Sequence, residues 1–341
     1  MRGKIVTIID FLHIGMPFSG GTLRSQSMGG TESSIVQLAE ALAQRGHDVN
    51  VFNTIATPRH EFGVRWWPFG EAAARARGEI GIAVANPKAF NGLSFRARIF
   101  WLHNPLKGWR QIRRGNVGPL LKTRPVFVLL GKYHEAHVPR WLPSSGRTII
   151  HHGVHGDFFR EAPPSAPPPP RAIFTSQPYR GLDWLLDLWG AVKRRVPAAA
   201  FDIFAPKHHQ AEANAKKAAL DGVTFRGSVS RPELVRELAA ARVQFIPGHR
   251  DETYCLAAAE AIASGVPVVT LGTGSLSERV RDGKTGFIAH SREEYITRAS
   301  ALLSDDALWT TMNQACLAEA QLTAWDVRAE EWERLFKTLA R

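Results

Sequence analysis

The stretch DETYCLAAAEAIASGVPVV, residues 251–269, sets one carboxylate, Glu260, in the middle of an apolar run that otherwise reads as a buried helix followed by a buried strand. Proline at position 247 bars helix before the stretch, Asp251 or Glu252 stands near the expected helix start, and Gly265 followed by Pro267 ends it. On that reading Glu252 lies at the positive end of a helix, where a carboxylate is favoured by up to about 1 kcal/mol. Glu260 follows roughly 80° further around the axis at 3.6 residues per turn, so both carboxylates can point into one crevice. Burying Glu260 among Leu256, Ala257, Ala258, Ala259, Ala261, Ile262 and Ala263 costs several kcal/mol unless its oxygens receive hydrogen bonds. Two kinds of partner answer that need: an Arg or Lys from another element, or a ligand whose vicinal hydroxyls each donate to one carboxylate oxygen.

On both sides of this stretch, strand and helix signals alternate. KIVTIID, the amphipathic TESSIVQLAEALAQRGHDV and VNVFN open the chain with a βαβ pattern. VRWWPF, IGIAVAN, ARIFWLHN, PVFVLLG and TIIHHGV are further strand candidates, several of them the unbroken apolar runs typical of parallel sheets. Six prolines among residues 160–171 interrupt the pattern, so these residues are expected to link two domains. A second βα series follows: AIFTS, a helix from about Gly181 to Arg195, AAFDIF, a helix near residues 207–220, VTFRG, a helix from Pro232, VQFIP, the opening stretch, VPVVT and GFIA. The expected fold class is α/β, with two doubly wound domains over residues 1–159 and 172–320 and any ligand in the cleft between them at the carboxyl ends of the strands. Residues 321–341 form an expected final amphipathic helix packing back toward the first domain.

Of 341 residues, 44% are hydrophobic and 22% charged, the balance of a globular protein and not of a disordered or fibrous one. No apolar run approaches the ~18 residues a spanning helix needs, so a cytoplasmic protein is expected. Two cysteines, Cys255 and Cys316, exclude a disulfide framework. The net charge of +12 is concentrated: residues 80–134 contain ten Lys or Arg and no Asp or Glu. Such a block suits a solvated basic face, a phosphorylated substrate, nucleic acid or an anionic membrane surface.

Three further places can carry chemistry. SGGTLRSQSMGGTESS, residues 19–34, puts Gly29 and Gly30 at a helix start whose free N–H groups can face an anion. PYRGLDWLL sets Arg180 beside another helix N-terminus, a poor electrostatic placement unless an anion lies between them. His103 follows the apolar strand IFWL, where ligand residues collect in these folds. Neither dinucleotide nor P-loop glycine patterns occur, nor G-x-S-x-G or Cys-x-x-Cys, so metal-free chemistry held by cations and helix ends is expected, with no cofactor.

Taken together these segments resemble the retaining nucleotide-sugar glycosyltransferases of glycosyltransferase family 4, which have the GT-B fold of two Rossmann-like domains facing a central cleft. The resemblance covers nearly the whole chain and is strongest over VTFRGSVSRPELVRELAAARVQFIPGHRDETYCLAAAEAIASGVPVVTLGTGSLSERVRDGKTGFIA, including its two glutamates separated by seven residues; MGGTESSIVQLAEALAQRGHDV and YRGLDWLLDLW add to it. It implies that Glu252 contacts hydroxyls of the transferred sugar and Glu260 the ribose hydroxyls, with Arg180 on the diphosphate. It also implies that Gly29 and Gly30 approach the leaving phosphates, that His103 reaches the donor sugar, that Gly274, Ser275 and Leu276 line the donor site, and that Val229 lies along the edge for the base. Two places depart from the family pattern: histidines replace the usual asparagine in IIHHGV, and FTSQPYRG lacks an earlier arginine, offering Ser176 and Gln177.

The implied activity is transfer of a hexosyl unit from a nucleotide-diphosphate sugar to a glycan, glycolipid or other hydroxyl acceptor, in polysaccharide or lipopolysaccharide biosynthesis. The basic block of residues 80–134 then suits peripheral contact with the inner face of an anionic membrane better than nucleic acid. A sugar-nucleotide epimerase of the same fold and a basic nucleic-acid or membrane-surface binder are the competing readings.

Overall fold

The computed structural model describes residues 6–26, 28–205 and 220–339, so the helix expected near 207–220 falls, but for its last residue, outside the described part. The chain divides into two compact units. The first runs to Gly153 and takes back the chain from Trp325, and the second is Val154–Ala324.

The first unit is built on an eight-stranded sheet of β1 (Ile8–Leu12), β2 (Asp48–Asn53), β3 (Arg59–Glu61), β4 (Val64–Pro68), β5 (Ile80–Val84), β6 (Ala97–Trp101), β7 (Val126–Leu129) and β8 (Gly146–Ile149). Their order is β3-β4-β2-β1-β5-β6-β7-β8, parallel except for the short antiparallel β3 at the edge. All five residues of β5, IGIAV, are buried, as a central parallel strand covered on both faces requires. The sheet order reverses between β1 and β5, the switch point toward which ligand-binding loops converge.

The second unit carries β9 (Arg171–Phe174), β10 (Ala200–Ile203), β11 (Val223–Phe225), β12 (Val243–Phe245), β13 (Val268–Thr270) and β14 (Gly286–Ile288). They form an all-parallel sheet in the order β11-β10-β9-β12-β13-β14, with the switch point between β9 and β12. The Leu182–Arg195 helix buries Leu182, Leu185, Leu186, Trp189 and Val192 at helical spacing against this sheet, and its last turn carries Lys193, Arg194 and Arg195, favourable at the negative end of the dipole.

The crossing between units differs from the expected linker at 160–171. Val154 is already anchored in the second unit, where its N–H donates to the Thr323 carbonyl at 2.8 Å, and Phe158 is buried with its carbonyl held by Ser264 Oγ at 3.1 Å. The prolines therefore run along the second unit, and Pro170 accepts from Ala200 N–H at 2.9 Å where β9 begins. Proline is tolerated just before the first residue of a strand, where no ladder N–H is required of it.

The closing Trp325–Leu339 helix belongs to the first unit. Trp332 is fully buried with its ring 5.1 Å from that of Trp101, and Glu333 accepts from Arg45 at 2.9 and 3.0 Å and pairs with His47 at 3.1 Å. The Arg45 guanidinium, and His47 after it, hold the Glu333 carboxyl down at about 2. No helix among the described residues is long and apolar enough to cross a membrane.

Trp332→Ala removes the largest side chain of this contact and is expected to cost the first unit about 3–5 kcal/mol. Urea unfolding followed by circular dichroism checks it, and an unchanged midpoint would show that Trp332 does not anchor the helix.

Candidate functional site

The helix in the opening stretch is shorter than its sequence suggests: it spans Leu256–Ala263, with Cys255 as its N-cap. Glu252 therefore lies in the preceding loop, not on the helix, and the angular relation expected between the two glutamates does not apply. The reason is the backbone at Cys255, whose φ of 64° is left-handed and breaks the helical path. Holding a non-glycine residue there costs on the order of 1–3 kcal/mol, the kind of strain that collects at ligand sites. Glu252 still meets the helix start, because its Oε1 accepts from Cys255 N–H at 3.0 Å.

Three loops past the carboxyl ends of β9, β12 and β13 converge here. The first carries Arg180 into Gly181, whose φ of 106° and position against the Pro247 ring, 2.9 Å from where a Cβ would stand, exclude any side chain. Arg180 forms an ion pair with Glu252. The third loop turns through Gly274 at φ 74°, so close to the His249 carbonyl and to Glu252 Cβ, 3.0 Å from a notional Cβ, that only glycine fits. Ser275 N–H then donates to the Glu252 carbonyl at 3.0 Å, and Leu276 is fully buried beneath the loop. The second unit thus brings Arg180, Glu252, Gly274, Ser275 and Leu276 into one constellation. Ser275 Oγ and Arg180 Nε are buried there without a hydrogen-bond partner within the described protein. Unsatisfied buried polar groups cost about 1–3 kcal/mol each, so two at one place make it the candidate site.

Glu260 sits half-buried on the Leu256–Ala263 helix. Its carboxylate makes no hydrogen bond or ion pair with a described residue; Arg231 acts on it only at longer range. Loss of hydration raises its pKa from 4.5 to about 7. The buried-arginine partner considered from the sequence is thus not found among the described residues. Val229, in the loop beyond β11, is partly buried and precedes the Arg231–Ala239 helix.

The remaining candidates belong to the first unit. Gly29 is the N-cap of the Gly30–Gln44 helix, with no side-chain capping bond. Its position is approached by Glu32, whose Oε2 lies 2.6 Å from a notional Gly29 Cβ and whose Oε1 is 3.5 Å from His13 Nε2. The hydrogen bond from His13 keeps the Glu32 carboxyl below its ordinary range. His103 is buried past the end of β6, its ring 4.4 Å from Trp101 and 4.8 Å from His152. Burial first, and the neighbouring imidazoles second, push it well below 6.5, so it is neutral at physiological pH. His13, Glu32 and His152 were not singled out by spacing. Their positions directly after β1, in the first helical turn and after β8 were the available signal. Among the described residues no group of three or more His, Cys, Asp or Glu is arranged to hold a metal ion.

The Glu260 shift has a stability consequence. A protonated carboxyl favours the folded state fully below 4.5, and that contribution is lost as pH rises through about 7. Glu260→Gln is therefore expected to melt higher than the parent at about pH 8 but not at about pH 5. Thermal unfolding at the two pH values checks this, and a pH-independent difference would place the carboxyl in a hydrated setting.

Residues 169–305, which contain this constellation, match the family model described as glycosyl transferases group 1. Curated relatives include the D-inositol 3-phosphate glycosyltransferase of Nocardioides sp., 33% identical over 111 residues that cover 32% of this chain and 24% of the relative. That of Kribbella flavida is 32% identical over 136 residues, covering 39% of this chain and 32% of the relative. The match thus spans only a quarter to a third of these relatives. Solved structures align over nearly the whole chain. Sucrose-phosphate synthase from Thermosynechococcus elongatus has a TM-score of 0.75 at 17% identity, covering 98% of this chain and 99% of its own. Anabaena HepE, in complex with UDP and glucose, has a TM-score of 0.72 at 15% identity, covering 98% and 100%. WaaG, a glycosyltransferase involved in lipopolysaccharide biosynthesis, has 0.70 at 12%, covering 95% and 98%. The chain thus has the GT-B fold, and residues 169–305 of its second unit match the glycosyl transferases group 1 model.

Proposed function

We propose that the protein transfers a hexosyl unit, with retention at the anomeric carbon, from a nucleoside-diphosphate sugar to a hydroxyl of a glycan, glycolipid or other acceptor. The observation that carries this reading is the Arg180–Glu252 ion pair in the loops at the switch point between β9 and β12, with Glu260 on the helix that follows the Glu252 loop. Glu252 is ion-paired and fixed in its loop, whereas Glu260 makes no hydrogen bond or ion pair with a described residue and holds its proton to about 7. Vicinal ribose hydroxyls donating to both oxygens of Glu260 would stabilise its charged form. Arg180, drawn from Glu252 to the diphosphate, would leave the Glu252 carboxylate to accept from sugar hydroxyls.

In this mechanism the bond between the anomeric carbon and the diphosphate oxygen breaks through an oxocarbenium-like transition state. The acceptor oxygen forms the new bond on the same face and gives its proton to the departing diphosphate. Arg180 and the backbone N–H groups at the Gly181 turn stabilise the charge that develops there, and the hydroxyl of Ser275 is free to donate to the donor. The reading needs neither a protein nucleophile nor a metal, and takes the first unit as the acceptor side. The basic residues 80–134 suit an acceptor carried at an anionic surface on the cytoplasmic side.

Glu260→Gln is expected to weaken nucleotide-sugar binding about tenfold or more, the worth of a charge-assisted hydrogen bond, with a smaller effect on turnover. Glu252→Ala is expected to do the reverse, lowering kcat more than nucleotide affinity. Calorimetric titration and initial rates, after screening UDP, GDP, ADP and dTDP sugars by thermal shift, decide between these patterns; wild-type behaviour of both variants would overturn the assignment. Activity is expected to survive EDTA, and full loss restored by Mn²⁺ would contradict the metal-free reading. Product NMR without added acceptor reveals whether an epimer forms instead.

A further inference from the structure

The first unit has a surface that its fold does not need. Of the eleven exposed large apolar side chains among the described residues, four fall within 109–141: Trp109 (54% exposed), Ile112 (63%), Leu121 (61%) and Trp141 (54%). Trp109 and Ile112 are three apart on the Gly108–Arg113 helix and so share a face, while Trp141 reaches that helix from the β7–β8 connection, its Cζ2 3.0 Å from a notional Cβ on Gly108. The Arg110 and Arg113 guanidinium groups lie 5.4 and 5.5 Å from the Trp109 ring centroid. Arg114, Lys122 and Arg124 are exposed nearby in sequence, and none of these five cations pairs with a carboxylate among the described residues. The helix occupies the β6–β7 connection, which also carries His103.

Water-exposed tryptophans cost free energy unless something covers them, and unpaired cations beside them select a negative partner. We infer that Trp109, Ile112 and Trp141, with Arg110 and Arg113, form a docking face for an anionic lipid bilayer. Indole rings favour the headgroup level, where the apolar ring and the polar N–H are both accommodated, and Ile112 reaches toward the acyl boundary. Arginine and lysine beside them gain from the negative surface potential. A nucleic acid would satisfy the cations and could stack on tryptophan, but offers Ile112 nothing; the bilayer satisfies all three residue types. This deepens the proposed reading by naming the source of the acceptor, a lipid-anchored one at the bilayer surface, and rests on that reading only for the acceptor's identity.

The test is co-sedimentation of the full chain with phosphatidylcholine vesicles, with and without phosphatidylglycerol. Binding to the anionic vesicles is expected, with little to the neutral ones and weakening at high salt. Trp109→Ala/Ile112→Ala/Trp141→Ala and, separately, Arg110→Glu/Arg113→Glu are each expected to lose at least tenfold in vesicle affinity. The charge-reversal pair changes only exposed side chains, so it keeps the test sound if the triple variant misfolds by circular dichroism. Absence of binding by the parent chain, undiminished binding by the charge-reversal variant, or tighter binding to a short RNA duplex than to the vesicles would each overturn the inference. Nucleotide-sugar calorimetry on the same variants is expected to be unchanged. If the parent binds vesicles but no nucleotide sugar, the transferase reading fails while the docking face stands.

Discussion

The backbone at Gly274 touches the His249 carbonyl and the Glu252 main chain so closely that no side chain can stand there, and the site depends on that approach. It pins the loop after β13 onto the loop after β12, fixes the Glu252 carbonyl through Ser275 N–H, and leaves the buried Ser275 hydroxyl without a hydrogen-bond partner among the described residues. Gly181 does the same on the other side, letting the loop after β9 press on Pro247 and bring Arg180 to Glu252. A parallel sheet with its switch point between β9 and β12 supplies the loops; two glycines set how near they come.

Electrostatics then separates the two glutamates. Glu252 has its charge stabilised by the Arg180 guanidinium and the Cys255 N–H, so it is present as an acceptor before any ligand arrives. Glu260 lies on an alanine-rich helix that offers it no donor, and burial moves its titration to about 7. A ligand that hydrogen-bonds the Glu260 carboxylate draws it to its charged form, which ties its recognition to pH.

Much of this was legible in the sequence, because a parallel sheet writes itself as short apolar runs and each run that was read there forms a strand in whole or in part. Glu260 announced itself as a lone charge among alanines. The extent of the helix was not legible: LAAAEAIA continues the pattern of DETYC, and the left-handed turn at Cys255 leaves no composition signal in a non-glycine residue. The unit boundary was misplaced for a related reason. Proline density marks where regular structure is impossible, whereas the chain changes units where Val154 and Phe158 find partners, a long-range fact invisible in local composition. The His13–Glu32 contact near Gly29 was hidden similarly, since it joins the end of β1 to the first turn of a helix.

Nucleotide-diphosphate binding to this switch point through Glu260 is the claim on which the functional account stands. Proton release on binding tests it most directly, measured by calorimetry near pH 7 in buffers of different ionisation enthalpy for the parent chain and Glu260→Gln. The account predicts that the parent releases a fraction of a proton as Glu260 ionises against the ribose, and that Glu260→Gln binds more weakly without that release. Equal affinity and equal proton exchange in the two proteins would contradict it.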